Sequence, residues 1–175
     1  MPGGAGADES ESTVLENQYN KLSDLDMLND GLEKQFCSVS RENETYQRLM
    51  EIPGVGLLIA TAAVSTIVEA SAFKSERAFV AYIGLVSKQS GSGGKVRLLG
   101  ISKHGDTYLR TLFIRVAKAA ALLVKEPGPW ITELKKRCPT SVAIVAVADK
   151  LARAVWAIVS HSHKYDKDHI SIRLY

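Results

Sequence analysis

Along residues 15–50, apolar side chains recur at alternating steps of three and four. One series is Leu15, Leu22, Asn29, Phe36, Asn43 and Met50; the other is Gln18, Leu25, Leu32, Val39 and Tyr46. Eight of these eleven positions are apolar, and charged residues crowd the positions between them. The spacing predicts a long helix over 14–51 with a narrow apolar stripe, the seam of a coiled coil. Asn29 and Asn43 would fix the register of that seam at some cost in stability. A single amphipathic helix packed on its own domain, broken near Gly31, is the competing reading. Pro53 ends the segment, because the residue before a proline is pushed out of helical conformation.

Beyond Pro53 the pattern predicts a mostly apolar helix over 57–69 and a shorter one over 72–85, with Phe79, Tyr82 and Ile83 on one side. Residues 86–102 are rich in Gly and Ser and contain VRLL, which suits a small hairpin or an exposed loop. Helical periodicity returns over 105–125, with Leu109, Leu112, Phe113, Val116, Ala120 and Leu123 facing inward. EPGPW at 126–130 is a break. A last long helix begins near Pro139 and runs to about His161, with Val142, Val145, Leu151, Val155, Trp156 and Val159 as its apolar face. The predicted fold is all-α: a coiled-coil helix over 14–51, then a compact helical domain over 52–163. Residues 1–13 read as a disordered arm or an expression remnant, and 164–175 as a tail.

Charge sharpens this division. Residues 1–50 hold ten acidic against four basic residues, a net of −6, and residues 51–175 hold nine against eighteen, a net of +9. An acidic arm and a basic body point to a polyanionic partner for the body. No apolar run approaches the ~20 residues of a membrane span, and the start of the chain lacks the features of a signal peptide. Cys37 and Cys138 stand alone, without a metal or redox motif, which fits a reducing cytoplasm.

Three stretches can carry chemistry. IPGVGLLIATAAV (52–64) has the spacing of a helix-hairpin-helix turn. Gly54 and Gly56 would let the backbone approach a phosphate, and the helix that follows offers unpaired N–H groups at its positive end. A tight corner that touches nothing has the same pattern. QSGSGGK (89–95) fails as a P-loop, since Val96 follows Gly94-Lys95 and Gln89 stands where the first glycine is required. Ser92, flanked by glycines, is open enough to attack a phosphodiester, and Arg97, Lys103, His104 and Arg110 follow closely. A flexible surface turn is the plain alternative. In the helix over 105–125, Arg110, Arg115, Lys118 and Lys125 fall within an arc of about 140°, a stripe suited to tracking a phosphate backbone. HSH (161–163) lacks the companions of a metal site and reads as a helix end favoured by His near the C-terminal dipole.

Taken in order, IPGVGLLIATAAV, FKSERAFVAYIGLV, SGGKVRLLGISKHGDTYLRTLFIRVAKAA and VAIVAVADKLARAVWAIV resemble the C-terminal domain of the IS110 and IS1111 transposases, which are related to certain site-specific DNA invertases. The resemblance covers roughly residues 45–165. It implies a serine that attacks DNA in strand exchange, which corresponds to Ser92, with Ser90 as the fallback because the family's Ser-Ser pair is Gly91-Ser92 here. It also implies a structured noncoding guide RNA, and an acidic RuvC-like domain that would hold Mg²⁺. Residues 1–50 have no strand–Asp pattern, so the chain is expected to be a fragment, inactive alone and without a cofactor or metal of its own. Asp149 stands where the family often has a basic or amide residue.

The expected function is therefore that of the serine-bearing part of a DNA transposase. Ser92 would be the nucleophile, with Arg97, Lys103 and Arg110 on the scissile phosphate. Gly54, Gly56, Lys95, His104, Arg115 and Lys118 would hold nucleic acid. DNA, a guide RNA and a second copy bound through residues 15–50 are the implied partners. The alternatives are a non-catalytic helix-hairpin-helix binding module that dimerises, and a helical interaction protein without a nucleic-acid role.

Overall fold

The computed structural model describes residues 5–69, 73–92, 95–125 and 128–161. Their contacts divide at Glu42/Asn43 into two units. The first is one helix, α1 (Ala5–Glu42). It is helical from Ala5, where composition suggested an arm without structure; residues 1–4 of that arm lie outside the described residues. Along its apolar stripe, Leu15, Leu22, Leu25, Leu32 and Val39 are all exposed. Gly31 does not interrupt the helix.

The heptad reading carries this helix on to residue 51, but it stops at Glu42. Asn43 is extended (φ −118°, ψ 114°), and its side-chain oxygen accepts the Thr45 N–H at 2.9 Å, capping a new helix, α2 (Glu44–Met50). A short polar side chain that satisfies a first-turn amide ends one helix and starts the next. Asn43, Tyr46 and Met50 therefore leave the seam, and Leu49 beside them is fully buried in the second unit.

That unit continues with α3 (Leu57–Glu69), α4 (Glu76–Tyr82), a hairpin of β1 (Ser87–Ser92) and β2 (Lys95–Ile101), α5 (Thr107–Leu122), α6 (Pro129–Arg137) and α7 (Thr140–His161). Apart from the hairpin it is helical, as the periodicity predicts. Ser75 caps α4 and Asp106 caps α5, accepting from Ala78 N–H at 3.2 Å and Leu109 N–H at 2.9 Å. Helix α6 begins inside EPGPW (126–130), which the sequence reads as a break, and fills a stretch before Pro139 for which the pattern predicts no helix. Pro129 opens this helix at a position where its missing N–H costs nothing.

Helix α7 is the hub, packed on α2, α3, α4, α5 and α6. Ala143, Ala148 and Ala152 are fully buried along it and let neighbouring helices come close. The largest buried side chains around it are Phe79, Phe113, Leu49, Ile52 and Ile83, each worth about 1.5–3 kcal/mol of burial. Phe73 joins this core edge-on to Phe79 at 5.5 Å. Leu123, expected to face inward, lies exposed past the end of α5, and Val142 of the predicted apolar face of α7 and Tyr82, grouped with Phe79 and Ile83, are exposed too. His161 closes α7 edge-on to Trp156 at 5.2 Å; the rest of HSH and the expected tail lie outside the described residues. No helix among the described residues is long and apolar enough to cross a membrane.

Candidate functional site

The Gly/Ser-rich stretch forms the outer half of the hairpin. Its strands are antiparallel, with Ser92 opposite Lys95, Gly91 opposite Val96, Ser90 opposite Arg97 and Gln89 opposite Leu98. Gly93 and Gly94, between the two strands in the sequence, lie outside the described residues. Cross-strand partners share a face, and so do alternate residues along a strand. By this register the positions of Ser90, Ser92, Lys95 and Arg97 lie on one face and those of Gln89, Gly91, Val96 and Leu98 on the other. The hairpin thus brings two hydroxyl-bearing and two cationic positions together at its tip. Ser90 and Arg97 are exposed, as are Ser87, Lys88, Gln89 and Gly91.

The remaining cations are not at the tip. Lys103 and His104 follow the foot of β2, and both are exposed. At about 3.3 Å per extended residue, Lys103 lies roughly 15–20 Å along the chain from Arg97. Lys103 has positive φ (58°) and donates its backbone N–H to Gly84 O at 3.1 Å.

Arg110 differs most from its expected place. It is buried, and its guanidinium faces inward. Nη1 donates to the carbonyls of Ile83 at 3.1 Å and His104 at 2.9 Å, and Nη2 donates to Thr107 Oγ1 at 3.0 Å. It shares the inner side of α5 with Phe113, Ala117 and Ala121. Arg110 therefore leaves the cationic stripe. Arg115 and Lys118 remain exposed on α5, and Lys125 lies beyond the helix end.

The turn between α2 and α3 is tight. Ile52 N–H bonds to Leu49 O at 3.1 Å and Val55 N–H to Ile52 O at 3.0 Å. Its two glycines do different work. Gly54 has φ +86°, and a β-carbon there would lie 2.6 Å from Val116 Cγ1, so it lets the turn press on α5. Gly56 is exposed with open space around it and immediately precedes α3. The Ile59 and Ala60 N–H groups both bond to Gly56 O, at 3.1 and 3.0 Å, so it is the amides of Leu57 and Leu58, at the positive end of the helix dipole, that have the geometry of an anion site.

Residues the sequence reading passed over hold the hairpin's foot. Ser102 N–H bonds to Val86 O at 2.8 Å. Gly84 (φ +73°) and Gly105 (φ +68°) face the opposite leg so closely that a side chain on either would strike its backbone. At the far side of α7, Arg153 bridges Asp149 at 2.8 Å and Glu76 at 3.8 Å. Burial pushes the Asp149 carboxyl above its ordinary range, against the opposing pull of Arg153. Lys150 lies 4.4 Å from the centre of the Trp130 ring, and burial lowers the affinity of its amine for a proton. Among the described residues no group of three or more His, Cys, Asp or Glu side chains could hold a metal ion.

Comparison with known proteins gives this geometry a context. Residues 46–131 match the Transposase IS116/IS110/IS902 family. The match takes in the α2–α3 turn, the hairpin and α5. The chain is 36% identical over 156 residues to a probable family 20 transposase of Pseudomonas aeruginosa, covering 87% of this chain and 46% of that protein. It is 36% identical over 156 residues to the transposase for insertion sequence element IS1111A of Coxiella burnetii, covering 87% and 43%. It is 33% identical over 140 residues to the transposase for IS1328 of Yersinia enterocolitica, covering 78% and 42%. The chain spans less than half the length of these curated relatives.

Proposed function

We propose that residues 43–161 are the serine-bearing strand-exchange body of an insertion-sequence transposase, and that Ser92 is its nucleophile. The observation that carries this reading is the hairpin register, which gathers the Ser90, Ser92, Lys95 and Arg97 positions on one face of the hairpin. In the proposed step, Ser92 Oγ attacks the scissile phosphorus and loses its proton. A P–O bond to one sugar oxygen breaks, and that oxygen leaves as a hydroxyl once it has taken up a proton. The DNA end is held as a phosphoserine ester until an incoming sugar hydroxyl reverses the step. Lys95 and Arg97 stabilise the charge on the phosphoryl oxygens.

DNA backbone is held elsewhere on the body. Gly56 and the first amides of α3 take one phosphate, and Arg115, Lys118, Lys103 and His104 take others. A structured guide RNA is a further polyanionic partner on this reading, and α1 joins two copies through its uncovered stripe. The exposed α3 terminus also favours the simpler reading of a helix-hairpin-helix module that binds backbone without catalysis.

The two readings separate on one experiment. A recombination-competent protein containing these residues is incubated with its junction DNA and resolved by denaturing electrophoresis. A covalent adduct that Ser92→Ala abolishes and Ser90→Ala retains is the expected result. An adduct lost only in Ser90→Ala moves the nucleophile to that position, and binding with no adduct in any variant leaves the non-catalytic module.

A further inference from the structure

We propose that Arg110 is a positioning residue that fixes the angle of the hairpin on the helical body, an inference that rests on the assignment of the strand-exchange serine to the hairpin tip. The hairpin has little of its own to anchor it. Most described side chains along β1 and at Arg97 and Leu99 of β2 are exposed, and a lone two-stranded hairpin is marginal in water. Its stance must be set at the foot. There the legs are joined by Ser102 N–H to Val86 O at 2.8 Å and Lys103 N–H to Gly84 O at 3.1 Å. Arg110 adds a bridge from below, since one nitrogen, Nη1, takes a carbonyl from each leg: Ile83 before β1 and His104 after β2.

The chemistry of the site suits arginine alone. A buried cation is costly unless it is hydrogen-bonded, and charge-assisted bonds to two carbonyls and a hydroxyl meet that need. A lysine ends one bond short of Nη1, the nitrogen that spans both legs, and has no second nitrogen to hold Thr107 at the same time. Gly84 makes the room, because a β-carbon there would lie 3.0 Å from Nη1 and 2.7 Å from the His104 nitrogen. Removing the guanidinium takes away the donor that ties the buried Ile83 carbonyl to the part-buried His104 carbonyl.

The lever is long. Six strand residues at about 3.3 Å each place the tip roughly 20 Å from the foot, so a tilt of about 10° there moves the tip by roughly 3 Å. Misplacement by about 1 Å already lowers the rate of an oriented reaction severely. Arg110 thus acts on the serine without touching DNA.

Amide hydrogen exchange on the whole 175-residue chain tests the clamp without any DNA. In Arg110→Ala, the amides of Ser102, Lys103 and both strands are expected to exchange about tenfold faster, while Ala148 and Ala152 in α7 change less than about threefold. Unchanged hairpin exchange overturns the proposal, and so does equal acceleration in α7, which would make Arg110 a general stabiliser. Arg110→Lys is expected to resemble the alanine variant; wild-type exchange in the lysine variant overturns the forked bridge. In the recombination-competent protein, Arg110→Ala should slow adduct formation at saturating DNA by roughly a hundredfold with Kd within about twofold. A loss of affinity at unchanged rate overturns the positioning role. Failure of the serine assignment leaves the exchange result intact, so the two ideas fail separately.

Discussion

Gly105 lies directly beneath the carbonyl of Tyr82, with so little space that a β-carbon on Gly105 would collide with that oxygen. The contact joins the end of α4 to the start of α5 across the hairpin's foot, and its φ of +68° already favours glycine. Gly105→Ala therefore has to displace backbone on both sides. The expected loss is roughly 2–3 kcal/mol, read as a lower urea midpoint with the slope unchanged. Gly100→Ala, in open space on β2, should shift the midpoint hardly at all.

Gly54 and Gly56 should respond differently, though they look alike in sequence. Gly54→Ala meets Val116 and a strained φ, and is expected to cost roughly 1–3 kcal/mol of stability. Gly56→Val keeps the fold within about 1 kcal/mol, since nothing crowds that position. It should weaken DNA binding by roughly fivefold, the size of one lost hydrogen bond. Affinities on two unrelated duplexes should fall alike, because backbone contacts carry no sequence code. A loss confined to one duplex would argue for base reading.

Much of this fold is legible in the chain because its helices carry strong punctuation. The apolar run of α3 and the start of α7 after Pro139 follow directly from periodicity and capping residues. The Gly/Ser stretch reads equally as hairpin or loop, and only the pairing register shows which hydroxyls and cations share a face. The break at Asn43 is hidden because the heptad spacing continues through it into Tyr46 and Met50. There, a cap bond to Thr45 and burial of Leu49 outweigh the repeat. Arg110 carries a readable signal: it stands three, seven and eleven residues before Phe113, Ala117 and Ala121, on the buried face of α5. Its charge, shared with Arg115 and Lys118, hides that spacing. The clamp at Gly84 and Gly105 leaves no local signal, since both glycines answer to backbone distant in sequence.

Salt dependence should separate the two kinds of arginine on α5. Arg115 and Lys118 are exposed, and each alanine substitution is expected to lower the slope of log affinity against log salt by about one counterion. Arg110→Ala should leave that slope unchanged, because its guanidinium is spent on Ile83, His104 and Thr107. A flattened slope for Arg110→Ala would mean that the side chain swings out to reach phosphate.

Asp149 gives a pH test of the α4–α7 contact. Burial raises its carboxyl above the ordinary value near 3.8, despite Arg153. A carboxyl raised in the folded state contributes stability that is present below its unfolded value and lost as pH rises through the folded one. Stability should therefore fall as pH rises through the raised folded value of Asp149, by an amount that Asp149→Asn removes. Urea midpoints at about pH 3.5 and 6.5 check this; an unchanged difference in the variant would show that Arg153 outweighs burial.

The last prediction concerns α1, whose Leu15, Leu22, Leu25 and Leu32 are exposed along one stripe. Stripe residues gain about 1.5–3 kcal/mol each when fully buried, so four of them outweigh the entropy of joining two chains at micromolar concentration. Asn29 falls within the same series, at a position where paired Asn side chains select a two-stranded register. The chain is therefore expected to be a dimer by light scattering, with mass falling towards the monomer on dilution. Leu22→Glu together with Leu25→Glu places like charges in the seam and should yield a monomer at every concentration. A helix deprived of its partner frays, so helical content should fall as dimerisation is lost while the hydrogen-exchange protection of α7 is retained. A wild-type chain that scatters as a monomer at high concentration would remove the coiled-coil role from α1 and leave its stripe for another partner.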